Sequence, residues 1–185
     1  MTDFDKIILG IDPGTNVLGF GVIGILNKEI HLISSGVVKM NKLENHELKL
    51  KSIYENISLI IEKHLPDEVA IESPFFGKNV QSMLKLGRAQ GVAMAAVLTK
   101  DLPISEYSPR KIKKSITGNG ASSKEQVAAM LKSILKLKTL PKSLDATDGM
   151  ATAVCHYFQK NLSSGDKNYS GWKGFIKDNP NRTSH

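Results

Sequence analysis

The stretch KIILGIDPGTNVLGFGVI, Lys6 to Ile23, decides how the chain is read. Ile7, Ile8, Leu9 and Ile11 have the makeup of a buried β-strand, and Asp12 stands at its end. A carboxylate in that place is costly unless something compensates its charge. Either Asp12 opens the turn Asp12–Pro13–Gly14–Thr15, or it holds a cation. Beyond the turn, Leu18–Leu26 reads as a second strand, Asn27–Lys28 as a short hairpin turn and Glu29–Met40 as a third strand.

The rest of the chain alternates helix and strand. From Asn45 to His64, Leu48, Ile53, Ile57, Ile60 and Ile61 share one helical face, and Pro66–Asp67 ends it. Glu68–Ile71 is a short strand with Glu72 at its end. A long helix, Asn79–Lys100, carries Val80, Met83, Leu84, Gly87, Gly91, Met94, Ala95 and Leu98 on one side. A brief strand at Ile104–Tyr107 precedes basic helical pieces at Pro109–Ile116 and Lys124–Leu137, and the last helix runs from about Leu144 to Gln159. From Ser163 the sequence is polar without a sustained period, as in a disordered tail. Three antiparallel strands followed by alternating strands and helices predict one mixed α/β sheet covered on both faces. In such sheets, sites gather at strand ends, which singles out Asp12 and Glu72.

Composition narrows the classes. A chain of 185 residues with 41% hydrophobic and 23% charged residues is one globular domain with a real core, which excludes a disordered or fibrous protein. The acidic start MTDFDK has no apolar segment after it, and the longest nearly uncharged run, Gly91–Thr99, is too short to span a bilayer. The single cysteine, Cys155, excludes an internal disulfide and suits a reducing cytoplasm. Between Lys100 and Lys142 ten Lys or Arg face only three acids, so this one segment holds a surplus equal to the net charge of +7. A solvated Lys-rich face would account for it; a polyanion partner would too.

Asp145 and Asp148, in SLDATDGMATAV, lie three residues apart at a helix start and share a face. Taken singly, these four acids have plain explanations: a turn for Asp12, a solvated strand end for Glu72, dipole-favoured first-turn acids for Asp145 and Asp148. Taken together, carboxylates from three rigid elements can converge on hard divalent cations. Two such ions roughly 4 Å apart activate water and stabilise the leaving oxygen of a phosphodiester. Beside a strongly basic segment, that chemistry points to hydrolysis of a nucleic-acid backbone.

IILGIDPGTNVLGFGVI, VAIESPFFGKNVQSMLKLGRAQGVA, KKSITGNGASSKEQV and SLDATDGMATAVCH resemble, in order and spacing, the motifs of RuvC-type Holliday junction resolvases. The resemblance runs from about Lys6 to Leu162. It implies a ribonuclease H-like fold, a mixed five-stranded α/β sheet with helices on both faces, over residues 1–162; the polar residues 163–185 lie outside it as a C-terminal tail expected to be disordered. It implies a homodimer that nicks two strands of a four-way DNA junction in recombination and repair. Two Mg²⁺ ions per subunit would serve it, with Mn²⁺ as a substitute, and the RuvA–RuvB branch-migration complex as a partner. The family's acidic tetrad falls on Asp12, Glu72, Asp145 and Asp148, so by resemblance Asp12 holds metal.

Further roles follow from the resemblance alone. Phe75, beside Phe76, occupies the place of an aromatic that stacks on junction bases. Lys113 and Lys124 match lysines near the scissile phosphate, where fixed positive charge stabilises the developing dianion. Lys78, Lys85, Arg88, Lys111 and Lys114 are expected to contact phosphates. Gly87, Gly91 and Ala95 form a low ridge, which by spacing alone packs on the chain's own sheet and by resemblance forms the dimer contact. Gly118 and Gly120 would allow a close approach of phosphate, Ser122 or Ser123 would cap the helix of Lys124, and His156 and Cys155 are expected to be structural. The rival readings are another ribonuclease H-like nuclease acting on RNA or a hybrid, a non-catalytic junction binder, and an actin-like ATP-binding protein, whose GIDPGT start looks similar.

Overall fold

The computed structural model describes residues 3–74, 79–141 and 143–165. The apolar runs become β1 (Lys6–Asp12), β2 (Val17–Leu26), β3 (Glu29–Lys39), β4 (Glu68–Glu72) and β5 (Ile104–Tyr107). Between and after them come α1 (His46–His64), α2 (Val80–Leu98), α3 (Pro109–Thr117), α4 (Lys124–Ile134) and α5 (Leu144–Gly165). One five-stranded sheet holds the strands in the order β3-β2-β1-β4-β5. β1–β2 and β2–β3 are antiparallel, β1–β4 and β4–β5 parallel. Asn27 and Lys28, with φ of 52° and 67°, are both left-handed, the two-residue turn whose twist matches its strands.

The helices start where the sequence can satisfy their first free N–H groups. Asn45, Asn79, Ser108 and Ser123 cap α1 to α4, and Ser123 forms a reciprocal box with Gln126. Of the two serines expected to cap α4, Ser123 does so, while Ser122 is buried and bonded to Thr117 at 2.8 Å. Some boundaries shift. Asp12 is the last residue of its strand and not the first of its turn, Glu72 belongs to β4 as its last residue, α4 stops at Ile134 before the left-handed Lys136, and α5 continues past Leu162 to Gly165. The tail beyond residue 165, and its expected disorder, lies outside the described residues. Among those residues no helix is long and apolar enough to cross a membrane.

Alternation along the strands divides the core in two. Leu9, Ile11, Leu18, Val22, Val69 and Ile71 pack against α1 and α2. Ile8, Ile23 and Ala70, on the other face, pack against α3, α4 and α5. On α2 it is Ala89, Ala93, Ala96 and Val97 that are buried. The ridge of Gly87, Gly91 and Ala95 is exposed, with Val80 at 66%, Leu84 at 53% and Leu98 at 57% beside it. The reading in which that ridge packs on the chain's own sheet is therefore wrong: the small residues that meet this sheet are the alanines.

α5 lies directly on β1 and β2. A Cβ on Gly10 would collide with the Gly149 carbonyl and the Ala153 nitrogen, and one on Gly19 with the Asp145 carbonyl. On the helix side, a Cβ on Gly149 would strike the main chain of Phe20. Main chain cannot step aside as a side-chain tip can, so these contacts set the height of the helix. Gly10→Ala is expected to destabilise the protein by about 1–3 kcal/mol or more in urea unfolding, the cost of overpacking a closed core. A wild-type midpoint would show that α5 can ride higher without cost.

Candidate active site

Ile11 pairs with Ile71 across β1 and β4, so Asp12 and Glu72 follow side by side at the ends of adjacent parallel strands. The face is set by alternation: Gly10 lies under α5, and Asp12, two residues on, points the same way. Asp145 and Asp148 occupy the start of α5, and Gly19, which pairs with Asp12, abuts Asp145. The fold therefore gathers the four acids from β1, β4 and α5 at one end of the sheet. Lys113 of α3 and Lys124, the first residue of α4, complete the wall.

The electrostatics are those of a crowded anionic site. Burial, reinforced by Asp148 and Asp145 and opposed by Lys124, pushes the Asp12 carboxyl up to about 6. Burial, then Asp12 and Asp148, push Glu72 up to about 8 against the pull of Lys124 and Lys113. Lys124 Nζ donates to Asp148 Oδ2 at 2.6 Å, and this bond outweighs burial to hold the ammonium above its usual range. Ser143 Oγ donates to Asp145 Oδ2 at 3.3 Å.

Asp12, Glu72, Asp148, Lys113 and Lys124 line a cavity of about 190 Å³ whose apolar wall is Pro109, Ile112 and Val127. A smaller one of about 120 Å³ lies on the other side of Asp12 and Glu72, against Leu86 and Gln90. Asp145 lines neither and reaches the group through its charge on Asp12. Among the described residues no three acidic, imidazole or thiol side chains are drawn into a ready-made metal cage. The donor set nevertheless fits a hard divalent cation: it is all carboxylate oxygen, and Glu72, raised to about 8, needs added positive charge to ionise at neutral pH.

The other expected residues divide. Lys85 and Arg88 are exposed on α2, Lys111 and Lys114 on α3. Lys111 Nζ lies 5.1 Å from the centre of the Tyr107 ring. Phe75, Phe76 and Lys78 lie outside the described residues. Gly118 is a left-handed helix cap, φ 79°, donating to the Lys114 carbonyl, and a Cβ on Gly120 would meet Arg110 at 2.6 Å. Both glycines thus have structural reasons that the phosphate reading did not consider. Cys155 and His156 are buried, as expected of core residues. Ser143, Pro109 and Gln90 escaped the sequence reading. Ser143, two residues before Asp145, could have been found from that spacing; the others are adjacent to the acids only through the fold.

In protein stripped of divalent metal, these acids should make stability depend on pH. Folded Asp12 and Glu72 keep protons to about pH 6 and 8, whereas unfolded they release them near 3.8 and 4.5. At these two groups the folded state binds more protons in that window, so the stability they contribute is full below pH 4 and is lost as pH rises toward 8. Thermal melts in chelator from pH 4 to 8 should show this fall, and Glu72→Gln should flatten its upper half. A fall of wild-type steepness in Glu72→Gln would remove Glu72 from the charged group.

Comparison with known proteins identifies the family. The family model for crossover junction endodeoxyribonuclease RuvC matches residues 8–156. The crossover junction endodeoxyribonuclease RuvC of Cytophaga hutchinsonii is 59% identical over 180 residues, 96% of this chain and 88% of the relative. The Thermus thermophilus RuvC structure superposes with a TM-score of 0.77 at 30% identity, over 85% of this chain and 96% of that one. T. thermophilus RuvC in complex with Holliday junction substrate gives 0.76 at 28%, over 86% and 97%. The sheet and its helices are thus the ribonuclease H-like architecture expected. With carboxylates at the ends of its central strands and a match across nearly all of its described residues, the chain belongs to the RuvC family of crossover junction endodeoxyribonucleases.

Proposed function

We propose that the protein resolves four-way DNA junctions in recombination and repair, by paired hydrolysis of phosphodiester bonds that depends on a divalent metal. The observation that carries this reading is the convergence of Asp12, Glu72 and Asp148 with Lys113 and Lys124 on one cavity. The junction held by T. thermophilus RuvC, which shares this fold, supports the choice of substrate. Asp12, Glu72, Asp145 and Asp148 hold Mg²⁺, two ions per subunit, and Mn²⁺ substitutes. When bound, the ions supply Lewis acidity that stabilises charge on the reacting phosphate. Lys113 and Lys124 present fixed positive charge to the same phosphate, and the apolar wall of Ile112 and Val127 limits the water that would screen it. Lys78, Lys85, Arg88, Lys111 and Lys114 contact phosphates, and Phe75 stacks on a base. Residues 1–162 are the nuclease domain, with 163–185 as a tail. The protein works in the cytoplasm, where its DNA lies, with RuvA and RuvB.

Two nicks related by symmetry require two sites, and a two-fold dimer offers them to a two-fold substrate. The face of α2 that carries Gly87, Gly91 and Ala95 supports this dimer, because it exposes Val80, Leu84 and Leu98 and, among the described residues, meets nothing of its own chain at either glycine. A small-residue ridge with apolar flanks lets a second helix come close. Gly91→Arg has room in the monomer and none between two helices.

Asp12→Asn, Glu72→Gln, Asp145→Asn and Asp148→Asn should each lose cleavage by about 10²-fold or more while still binding the junction, and Lys124→Ala should lower the rate more than the affinity. Cleavage of a four-way junction, linear duplex and RNA–DNA hybrid compared side by side should favour the junction; preference for the hybrid would overturn the reading. Gly91→Arg should sediment as a folded monomer and give single nicks or none. A dimeric Gly91→Arg protein that still makes paired, ligatable cuts would take α2 out of the interface.

A further inference from the structure

A polar cavity of about 330 Å³ lies where the β1–β2 turn meets the starts of α1 and α2. Thr15 and Asn16 come from the turn, His46 and Lys49 from α1, Ser82 and Lys85 from α2. Each helical pair is spaced three residues apart, which turns both members to one side. Lys49 Nζ donates to Asn16 Oδ1 at 2.7 Å, tying the α1 lysine to the turn. His46 Nε2 is shut off from solvent and has no hydrogen-bond partner among the described residues. The start of α2 carries no acidic residue to offset its positive end. Glu44 also lines the cavity, but one acid against two lysines leaves it positive.

This chemistry is that of an oxyanion site: two ammonium groups, hydroxyls, a ring nitrogen wanting a partner and a helix N-terminus. Its place in the fold identifies the anion. Asn16 follows Asp12 by four residues, so the cavity lies within about 14 Å of the acids. It lies on the α1–α2 side of the sheet, whereas Lys113 and Lys124 come from the α3–α5 side. We propose that this cavity binds a backbone phosphate of the strand being cut, a few nucleotides from the reacting one. A strand crossing the end of the sheet is then gripped on both sides of the acids, and Lys49, His46 and Asn16 join Lys85 in holding it. The proposal rests on the nucleic-acid reading above, which fixes the anion as a phosphodiester.

The test uses full-length protein with a four-way junction and follows affinity against salt. Lys49→Gln, and Lys49→Gln with Lys85→Gln, should weaken binding and lower the slope of log affinity on log salt by about 0.9 for each phosphate left unneutralised. Lys63→Gln, about 20 Å along α1 from Lys49, should keep the wild-type slope. In protein labelled at histidine and carrying Asp12→Asn to prevent cutting, the junction should shift the His46 Nε2 resonance. If inorganic phosphate alone shifts that resonance while the lysine variants keep the wild-type slope, the cavity serves a free anion and the strand assignment falls. Normal junction binding with unchanged slopes and an unmoved His46 would sink this site alone. A wild-type protein that binds no junction would sink the nuclease reading, and this site with it.

Discussion

Everything at the reactive end of the molecule depends on how closely one helix can lie on the sheet. Gly10 and Gly19 on the strands and Gly149 on α5 remove the side chains that would otherwise hold the layers apart. Main chain then rests on main chain, and the start of α5 comes down beside the ends of β1 and β4. Only at that spacing do Asp145 and Asp148 feel Asp12, and Asp148 feel Glu72. This close helix-to-sheet packing therefore serves to bring like charges together, the arrangement a folding chain left to itself would avoid.

The far end of α5 compensates. His156, two turns beyond Asp148, is almost wholly buried, and burial outweighs the pull of Glu68 to keep its ring neutral. A carboxylate only accepts, so His156 Nε2–H donates to Glu68 and Nδ1 accepts from the Tyr107 hydroxyl at 2.8 Å. Burial raises Glu68, but the bonds from Lys6 and His156 outweigh it and hold the acid low. The same pair of strands thus begins with Lys6 and Glu68, a satisfied network, and ends with Asp12 and Glu72, an unsatisfied one. A buried polar cluster that is fully paired fixes position; one that lacks counter-charge stores a demand for it.

Lys124 answers part of that demand. As the first residue of α4, behind the Ser123–Gln126 box, it is placed by the helix start and not by its own flexible stem. Its bond to Asp148 lowers the repulsion without ending it, since Glu72 remains raised to about 8. A lysine alone does not neutralise four acids, which is the physical reason the site calls for divalent cations.

The sequence by itself determined the elements and the chemistry. Periodicity placed the strands, the helices and the Asn27–Lys28 turn, because side-chain burial has a period that composition records. Asp12 and Glu72 were legible because a carboxylate after an apolar run is anomalous on its own strand. Tertiary structure alone decided what local pattern leaves undetermined. On α2 both Ala89–Ala93 and Gly87–Gly91 have helical spacing, and only packing showed that the alanines meet the sheet and the glycines face outward. Gly118 closes α3 as a left-handed cap and Gly120 makes room for Arg110, roles that the pattern TGNGASS does not reveal. The link between Lys49 and Asn16, 33 residues apart, has no trace in either segment. Spacing along a helix or strand is a property of the chain, whereas which faces meet is a property of how the layers close, and long-range neighbours exist only after they do.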